Sequence, residues 1–319
     1  MKDVFFINPA AGQGKGIEEL KERIYSEAES LSRRVEIFMT NSVGDGEKAA
    51  RRMAEELDGE EGRFYACGGD GTANEIINGI HGFGNVSLGI IPIGTGNDTV
   101  RNFAGGTDFM DIRTQMTSEA ETIDLMKYDG IIDGRRQVRY AVNMFNIGFD
   151  CNVVELAGRL KQKPMIKGSF AYLMAVLGMF IQKKGTALRI TSEGEVIRDG
   201  EMLLCAVANG SYCGGGVCSA PQAKMNDGLF DLSIINDVSR TTFLRLFPKY
   251  QKGTHFQTKG VDRIIEAKAM KEVTLEPRKA EDFFLCADGE ITLCRKVTIT
   301  AEPGGLRFIV PKKSVDNGR

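Results

Sequence analysis

Residues 63–75 read RFYACGGDGTANE, an apolar run that leads directly into three glycines within four positions. The run at 63–67 predicts a strand, and residues 72–80 predict a short helix capped by Thr72. Glycines at such a turn let the backbone approach a ligand closely. Asp70 falls at the carboxyl end of the predicted strand, where open α/β sheets bind their ligands. A plain tight turn, with Asp70 and Thr72 as capping residues, is the simpler alternative.

Strands and helices are predicted to alternate on both sides of this segment. Apolar runs predict strands, and apolar residues at helical spacing predict helices. The other predicted strands cover 4–7, 35–40, 87–93 and 122–127, and the other predicted helices cover 17–31, 47–57, 96–103 and 108–117. This alternation predicts an α/β fold with a parallel, doubly wound sheet in an N-terminal domain of residues 1–127.

After about residue 127 the pattern changes to short strand-like runs separated by Gly, Asp and Pro turns. These runs cover 138–147, 187–192, 203–208, 230–235, 271–275, 283–287 and 297–301. They predict an antiparallel β-sandwich domain over residues 128–303. Helical inserts are predicted at 151–182 and 241–252, and a last strand at 306–310 could join either domain.

Composition limits the classes of function. The chain has 319 residues, enough for two domains, and its 42% hydrophobic and 26% charged residues are globular values. A net charge of −2 argues against a nucleic-acid-binding protein. The most apolar stretch, at 169–181, is too short to span a bilayer. The seven cysteines contain no CxxC pair, which predicts reduced thiols. We therefore expect a soluble, cytoplasmic protein whose membrane contact is peripheral, on the inner face.

Two further glycine-containing motifs follow predicted strands of the first domain. Residues 8–16 read NPAAGQGKG, and their spacing is not that of a Walker P-loop. Residues 94–98 read GTGND and follow the strand next to the GGDGT turn in sequence. Backbone N–H groups at such turns can face an anion. Two neighbouring Gly/Asp turns at strand ends predict a single nucleotide-binding crevice.

Two motifs in the second domain carry carboxylates. Asp288-Gly289-Glu290 could supply a general base for a substrate hydroxyl, although Asp-Gly is also a common hairpin turn. Residues 221–229 read PQAKMNDGL, an oxygen-rich loop that could hold a hard cation through backbone carbonyls and Asp227. An ordinary Asp-Gly turn is the alternative for this loop as well.

In this order and rough spacing, the five motifs resemble the diacylglycerol kinase catalytic family, most closely its soluble bacterial members. GGDGT alone is shared with NAD kinases and phosphofructokinases, whereas the combination is more specific. The resemblance implies a nucleotide-binding domain, a β-sandwich domain and an active site in the interdomain cleft. It also implies that the C-terminal segment, about 304–319, returns to the first domain.

The resemblance also implies roles for individual residues. Catalysis would involve Glu290 and Asp288 near the lipid hydroxyl, with Asp70 and Asp98 placing the triphosphate and Mg²⁺. A structural Mg²⁺ would bind the carbonyls of Lys224 and Leu229 and the Asp227 carboxylate. ATP would contact Asn8, Pro9, Ala10, Ala11, Gly12, Thr40, Gly69, Asp70, Gly71, Thr72, Asn74, Glu75, Thr95, Asn97 and Asp98. Family members usually carry Asp-Asp-Gly where this chain has Asn226-Asp227-Gly228, which should weaken the metal site.

The implied function is an ATP- and Mg²⁺-dependent lipid kinase that acts at a membrane surface, most simply on diacylglycerol to give phosphatidic acid. A sphingoid base, phosphatidylglycerol or an isoprenoid-like alcohol are alternative acceptors, because acyl chains are read by diffuse apolar surface. An NAD kinase-like enzyme and a non-catalytic ATP-binding regulator are the alternative functions. Homodimers are common in the family, and the sequence leaves the oligomeric state open.

Overall fold

The structure, a computed structural model, describes residues 1–103, 108–148, 185–279 and 281–312. These residues form two compact units: the first contains Met1–Asp124 and the described residues from Gly304 onward, and the second contains Leu125–Pro303. The helical insert predicted at 151–182 lies outside the described residues. Among the helices in the described ranges, none is long and apolar enough to cross a bilayer.

The first unit contains a parallel sheet whose strands alternate with helices, as the sequence predicts. The strands stand side by side in the order β2-β1-β3-β4, so their carboxyl ends lie at one edge. The elements are β1 (Lys2–Ile7), α1 (Ile17–Ser30), β2 (Val35–Met39), α2 (Asp45–Glu55), β3 (Gly62–Gly68), α3 (Asp70–Ile80), β4 (Val86–Pro92), α4 (Asp98–Arg101) and α5 (Ile112–Thr117).

Strand β1 lies in the interior of the sheet, between β2 and β3, and is covered on both of its faces. Its side chains from Val4 to Ile7 are all fully buried, as expected for a continuous apolar run in a parallel strand. On one face Phe5 packs in a cluster with Leu20 and Ile24 of α1. Full burial of each such large side chain contributes about 1.5–3 kcal/mol, so this layer holds the strand ends in place.

The second unit is the predicted antiparallel sandwich. Its elements are β5 (Ala120–Ile132), β6 (Arg135–Ala141), β7 (Met144–Gly148), β8 (Thr186–Ser192), β9 (Glu195–Met202), β10 (Leu204–Ala208), β11 (Tyr212–Cys213), β12 (Val217–Cys218), β13 (Phe230–Ile235), α6 (Arg240–Gln251), β14 (Ile265–Met270), β15 (Glu272–Pro277), β16 (Phe283–Ala287) and β17 (Glu290–Ile309). One layer runs β14-β13-β10-β7-β16-β17, and β17 also pairs with β15, which leads to β8 and β9. Buried side chains from both layers form one cluster, including Phe145, Leu188 and Leu285.

Strands β5 and β17 each pass from one unit to the other. Beyond the second unit, Arg307 and Phe308 of β17 pair in parallel with Ser87 and Leu88 of β4. Residues 307 and 308 of β17 therefore extend the parallel sheet of the first unit.

Two predicted elements differ from the structure for identifiable reasons. The single strand predicted at 138–147 is interrupted after Ala141, because the N–H groups of Val142 and Asn143 bond to the Asp288 carboxylate. The helix predicted at 96–103 begins only at Asp98, because Asn97 has a left-handed backbone with φ of 55°.

Candidate active site

Three loops follow the neighbouring strands β1, β3 and β4 at the carboxyl edge of the parallel sheet. The first loop contains residues 8–16, the second residues 68–72 and the third residues 94–99. The first begins with Asn8, whose Nδ2 donates a hydrogen bond to Thr72 Oγ1 at 3.2 Å. The third is tied to β3 by the bond from Gly94 N–H to Gly68 O at 3.1 Å. The three glycine-containing motifs of the first domain therefore meet in one place.

Close backbone packing explains the glycines in these loops. A Cβ added to Gly94 would lie under 3.0 Å from the Cα and N atoms of Gly69. A Cβ added to Gly68 would meet the Thr72 side chain at a similarly short distance. Because backbone atoms cannot move aside as a flexible side chain can, the contact between the second and third loops requires glycine at position 94.

The Asp70 carboxylate joins the second loop to the third. Its Oδ2 accepts a hydrogen bond from Asp98 N–H at 3.1 Å. Its Oδ1 accepts two, from the N–H and from the hydroxyl of Thr99, each at 3.1 Å. Asp70 is also the first residue of α3, where a negative charge is favourable. Both oxygens of this central carboxylate are thus held by the third loop.

Side-chain hydrogen bonds close the third loop on itself. Asn97 Nδ2 donates to the carbonyl of Pro92 at 3.2 Å and to that of Gly94 at 2.9 Å. The buried Asp98 places Oδ1 3.5 Å from Arg101 Nε, so its negative charge is partly balanced. The loop is therefore shaped by its own polar groups as well as by Asp70.

Thr40 follows β2, and Glu75 of α3 is bonded to the start of α2. The Thr40 N–H donates to Ile7 O at 2.9 Å. The Glu75 carboxylate accepts hydrogen bonds from Gly44 N–H at 2.8 Å and Gly46 N–H at 3.0 Å. Both of its oxygens bind the start of α2, so Glu75 anchors the loop that begins with Thr40.

The remaining residues of the predicted ATP site occupy the same loops or the first turns of α3. Ala10 N–H donates to Asn8 Oδ1 at 2.9 Å, which shapes the first loop. Asn74 is buried, and its Oδ1 accepts a hydrogen bond from Asn78 Nδ2 within α3. Thr95 is exposed at the tip of the third loop. The others, distributed over the first and second loops, are Pro9, Ala11, Gly12, Gly69 and Gly71.

In the second unit, Asp288 is a buried anchor. Its Oδ1 accepts hydrogen bonds from the N–H groups of Asn143 and Met144, both at 2.9 Å, and its Oδ2 accepts one from Val142 N–H at 2.8 Å. Asp288 and Gly289 both have positive φ, at 47° and 92°, as in a two-residue hairpin turn. Asp288 and Gly289 therefore form the hairpin turn that the sequence offered as an alternative, and this turn also holds the Asp288 carboxylate in a fixed position.

Glu290, immediately after this turn, is exposed. It pairs with Ala287 as the first residue of β17, so its backbone is fixed while its side chain reaches solvent. The Asp288 charge also acts on the buried Tyr128: burial raises the pKa of Tyr128, the Arg139 guanidinium lowers it, and the Asp288 carboxylate raises it further. The two predicted base residues thus differ: Asp288 is buried and fully engaged by backbone amides, and Glu290 is accessible.

The loop predicted to hold a cation, residues 221–229, is followed by a second acidic residue, Asp231 of β13. Asp227 Oδ1 accepts a hydrogen bond from Leu229 N–H at 3.1 Å, and Gly228 between them has φ of 75°. Burial raises the pKa of Asp231, the Asp227 charge raises it further, and Lys224 lowers it. Two carboxylates that repel each other beside loop carbonyls fit a hard cation. No cluster of three or more His, Cys, Asp or Glu side chains suited to a metal occurs in the described ranges.

Sequence reasoning missed Thr99, which donates to the Asp70 carboxylate, and Asn143, which donates to the Asp288 carboxylate. Besides its bond to Asp288, Asn143 donates from Nδ2 to Tyr212 O at 2.7 Å, and its carbonyl accepts the Asn209 N–H at 2.9 Å. The residues around position 142 have no local sequence pattern that predicts a hydrogen bond to Asp288. Thr99 follows the GTGND motif directly, but its partner lies on another strand end.

Comparison with known families matches both halves of the chain. Residues 2–128 match the model of the diacylglycerol kinase catalytic domain. Residues 143–310 match the model of the YegS C-terminal NAD kinase beta sandwich-like domain. The three glycine loops and Asp70 lie within the first match, and the Asp288 turn and the Asp227 loop lie within the second.

Individual proteins agree with these matches. A Pseudomonas aeruginosa protein named "Probable lipid kinase YegS-like" is 29% identical over 95% of this chain and 93% of its own length. A Staphylococcus saprophyticus protein named "Diacylglycerol kinase" is 33% identical over 68% of each chain. The crystal structure of a diacylglycerol kinase from Bacillus anthracis has the same fold, with a TM-score of 0.67 at 20% identity, covering 97% of this chain and 96% of that one.

Proposed function

Because the chain belongs to the diacylglycerol kinase family and is a kinase that phosphorylates a hydroxyl group, we propose that it transfers the γ-phosphate of ATP to a lipid hydroxyl. Diacylglycerol is the acceptor we propose, and phosphatidic acid the product. The names of the relatives support a lipid acceptor, which would be reached at a membrane surface.

The observation that carries the ATP proposal is the meeting of three glycine loops around Asp70 at the carboxyl edge of the parallel sheet. The first N–H groups of a helix have no partner within that helix, and they favour an anion. Gly71 and Thr72 belong to the first turn of α3, beside Asn8. We assign the ATP phosphates to these amides and loops, because phosphoryl transfer depends mainly on positioning and charge neutralisation.

Glu290 is our choice for the general base. A general base must reach the hydroxyl proton, and Glu290 is exposed whereas the oxygens of Asp288 already accept three backbone hydrogen bonds. In the proposed step the acceptor hydroxyl gives its proton to Glu290. The oxygen of the acceptor hydroxyl forms the new bond to the γ-phosphorus, and the bond between that phosphorus and the ADP oxygen breaks. Asp288 holds the turn from which Glu290 projects.

Mg²⁺ is the cofactor we propose, in two places. When bound with ATP, it would neutralise charge on the phosphate oxygens, and we propose that Asp70 and Asp98 would help to hold it in the first unit. A second, structural ion would be held by Asp227 and the carbonyls of Lys224 and Leu229. The repulsion between Asp227 and Asp231 supports a cation at this loop.

The test is a product assay with purified protein, Mg²⁺ and γ-labelled ATP against mixed micelles that contain one acceptor each. The acceptors are diacylglycerol, a sphingoid base, phosphatidylglycerol, an isoprenoid alcohol and, without micelles, NAD. We expect labelled phosphatidic acid from diacylglycerol at the highest kcat/KM. Label on NAD alone would replace the proposal with an NAD kinase, and label on another lipid would correct the acceptor.

A further inference from the structure

The Asp70 carboxylate has little capacity left for a ligand. A carboxylate offers about four lone-pair directions, and three are taken by Asp98 N–H, Thr99 N–H and the Thr99 hydroxyl. Oδ1 accepts two of these bonds and Oδ2 accepts one. The remaining direction therefore belongs to Oδ2. A Cβ added to Gly96 would lie 2.9 Å from Oδ2, so glycine at that position keeps one side of the oxygen clear.

Thr99 decides which oxygen remains available. Its side chain is almost completely buried, and its hydroxyl must donate, since an ionised carboxylate only accepts. Two bonds of 3.1 Å from one residue to the same Oδ1 hold the carboxylate in a single orientation. Without the hydroxyl, the backbone N–H groups of Asp98 and Thr99 would still bind Asp70, but the carboxylate could rotate between them.

We propose that Thr99 is a positioning residue of this kinase, whose hydroxyl orients Asp70 so that the free side of Oδ2 faces the cation or water that accompanies the ATP phosphates. The proposal deepens the proposed function and rests on it. In this proposal Thr99 acts through Asp70 and has no direct contact with nucleotide or acceptor.

The chain contains a matched control for this residue. At the start of α5, the N–H and hydroxyl of Thr114 donate to Asp111 at 3.0 and 2.8 Å, the same pair of donors on the same type of acceptor. Thr114 belongs to none of the three loops. Replacing either threonine by valine keeps the shape and removes one charge-assisted hydroxyl bond, although Thr114 is less buried than Thr99.

The experiment compares Thr99→Val, Thr99→Ser and Thr114→Val with the unchanged protein, by steady-state kinetics with Mg-ATP and diacylglycerol, calorimetric Mg-ATP affinity and thermal unfolding. We expect Thr99→Val to lower kcat/KM for ATP about tenfold and Thr99→Ser to keep the value of the unchanged protein. Thr114→Val should leave kcat/KM unchanged although it lowers the unfolding midpoint. Unchanged kinetics in Thr99→Val, or a serine variant as impaired as the valine variant, would overturn the proposal.

The same measurements distinguish failure of the lipid kinase proposal from failure of the Thr99 proposal. If the unchanged protein phosphorylates no acceptor, the lipid kinase proposal fails, and the role of Thr99 is decided by Mg-ATP affinity alone. A roughly tenfold weaker affinity in Thr99→Val, with the serine variant and Thr114→Val unaffected, supports it. Equal affinities in all four proteins, or no Mg-ATP binding in any of them, contradict it.

Discussion

The hydroxyl of Thr99 donates to Asp70 Oδ1 over 3.1 Å, a bond between residues 29 positions apart in the chain. Asp70 follows β3 and Thr99 follows β4, so the bond joins the ends of two adjacent parallel strands. Gly94 and Gly69 pack backbone to backbone beside it. The second and third loops are therefore joined by a hydrogen bond and by close backbone packing. A substitution that shifts one loop should also shift the other.

Asp70→Asn should abolish most activity. The amide NH₂ that replaces one oxygen must face a backbone N–H of either Asp98 or Thr99, which removes an acceptor and adds a repulsive contact. We expect kcat/KM for ATP to fall about hundredfold, equivalent to about 2.7 kcal/mol at 1.36 kcal/mol per factor of ten. Asp111→Asn, which damages the similar pair at Thr114, is the control and should keep its kinetics. Normal turnover in Asp70→Asn would refute the site assignment.

Gly94→Ala should separate the second and third loops. Its Cβ would lie under 3.0 Å from backbone atoms of Gly69, so the loops must move apart. We expect a lower unfolding temperature and loss of measurable Mg-ATP binding in calorimetry. Gly84→Ala is the matched control, because no atom lies within 4 Å of a Cβ at that position. If both alanine variants bind Mg-ATP equally well, the packing of these loops is not required for the nucleotide.

Glu290→Gln and Asp288→Asn should have opposite signatures. Glu290 is exposed, so its amide variant should unfold normally while kcat falls about 10²–10⁴-fold, the usual contribution of a general base. Asp288 accepts three buried backbone hydrogen bonds, so its amide variant should lose about 3 kcal/mol of unfolding free energy. Denaturant titration and kinetics on both variants check this. A reversed pattern would make Asp288 the base.

Mg²⁺ should stabilise the second unit through the loop that contains Asp227. A cation that binds only the folded state adds RT ln(1 + [L]/Kd), about 1.4 kcal/mol at ten times its Kd. We expect the unfolding temperature to rise with Mg²⁺ and to return to its starting value with a chelator. Asp227→Asn should remove this response, whereas Asp262→Asn, an exposed control in the same unit, should keep it. An equal response in Asp227→Asn would place the cation elsewhere.

His255 should make stability depend on pH. It lines an apolar cavity of about 50 Å³ with Phe247 and Ile265, and burial lowers its pKa below the usual 6.5 despite an opposing contact with the Lys249 backbone. Below pH 6.5 the unfolded chain therefore binds more protons than the folded one, so unfolding free energy falls as pH falls through that window. Denaturant titrations of His255→Phe should show a weaker dependence there. Identical pH profiles would exclude His255 as the cause.

Local sequence patterns were sufficient for the fold class and for the positions of the glycine loops. The apolar run at 4–7 and the residues 63–75 carry their own strand and turn preferences, because hydrophobic periodicity and glycine conformation act over a few residues. The family motifs are equally local. These features predict a parallel sheet, an antiparallel sandwich and a nucleotide site at the strand ends without reference to any contact between distant residues.

Distant contacts decided what individual side chains in those motifs do. Asp288 and Glu290 look alike in the sequence, yet one accepts bonds from N–H groups about 145 positions away and the other reaches solvent. Glu75 is predicted to contact ATP, and the structure adds that both of its carboxylate oxygens accept hydrogen bonds from the start of α2. Hydrogen bonds of this kind depend on which strand ends the folded sheet brings together, and a local pattern of residues carries no record of that pairing.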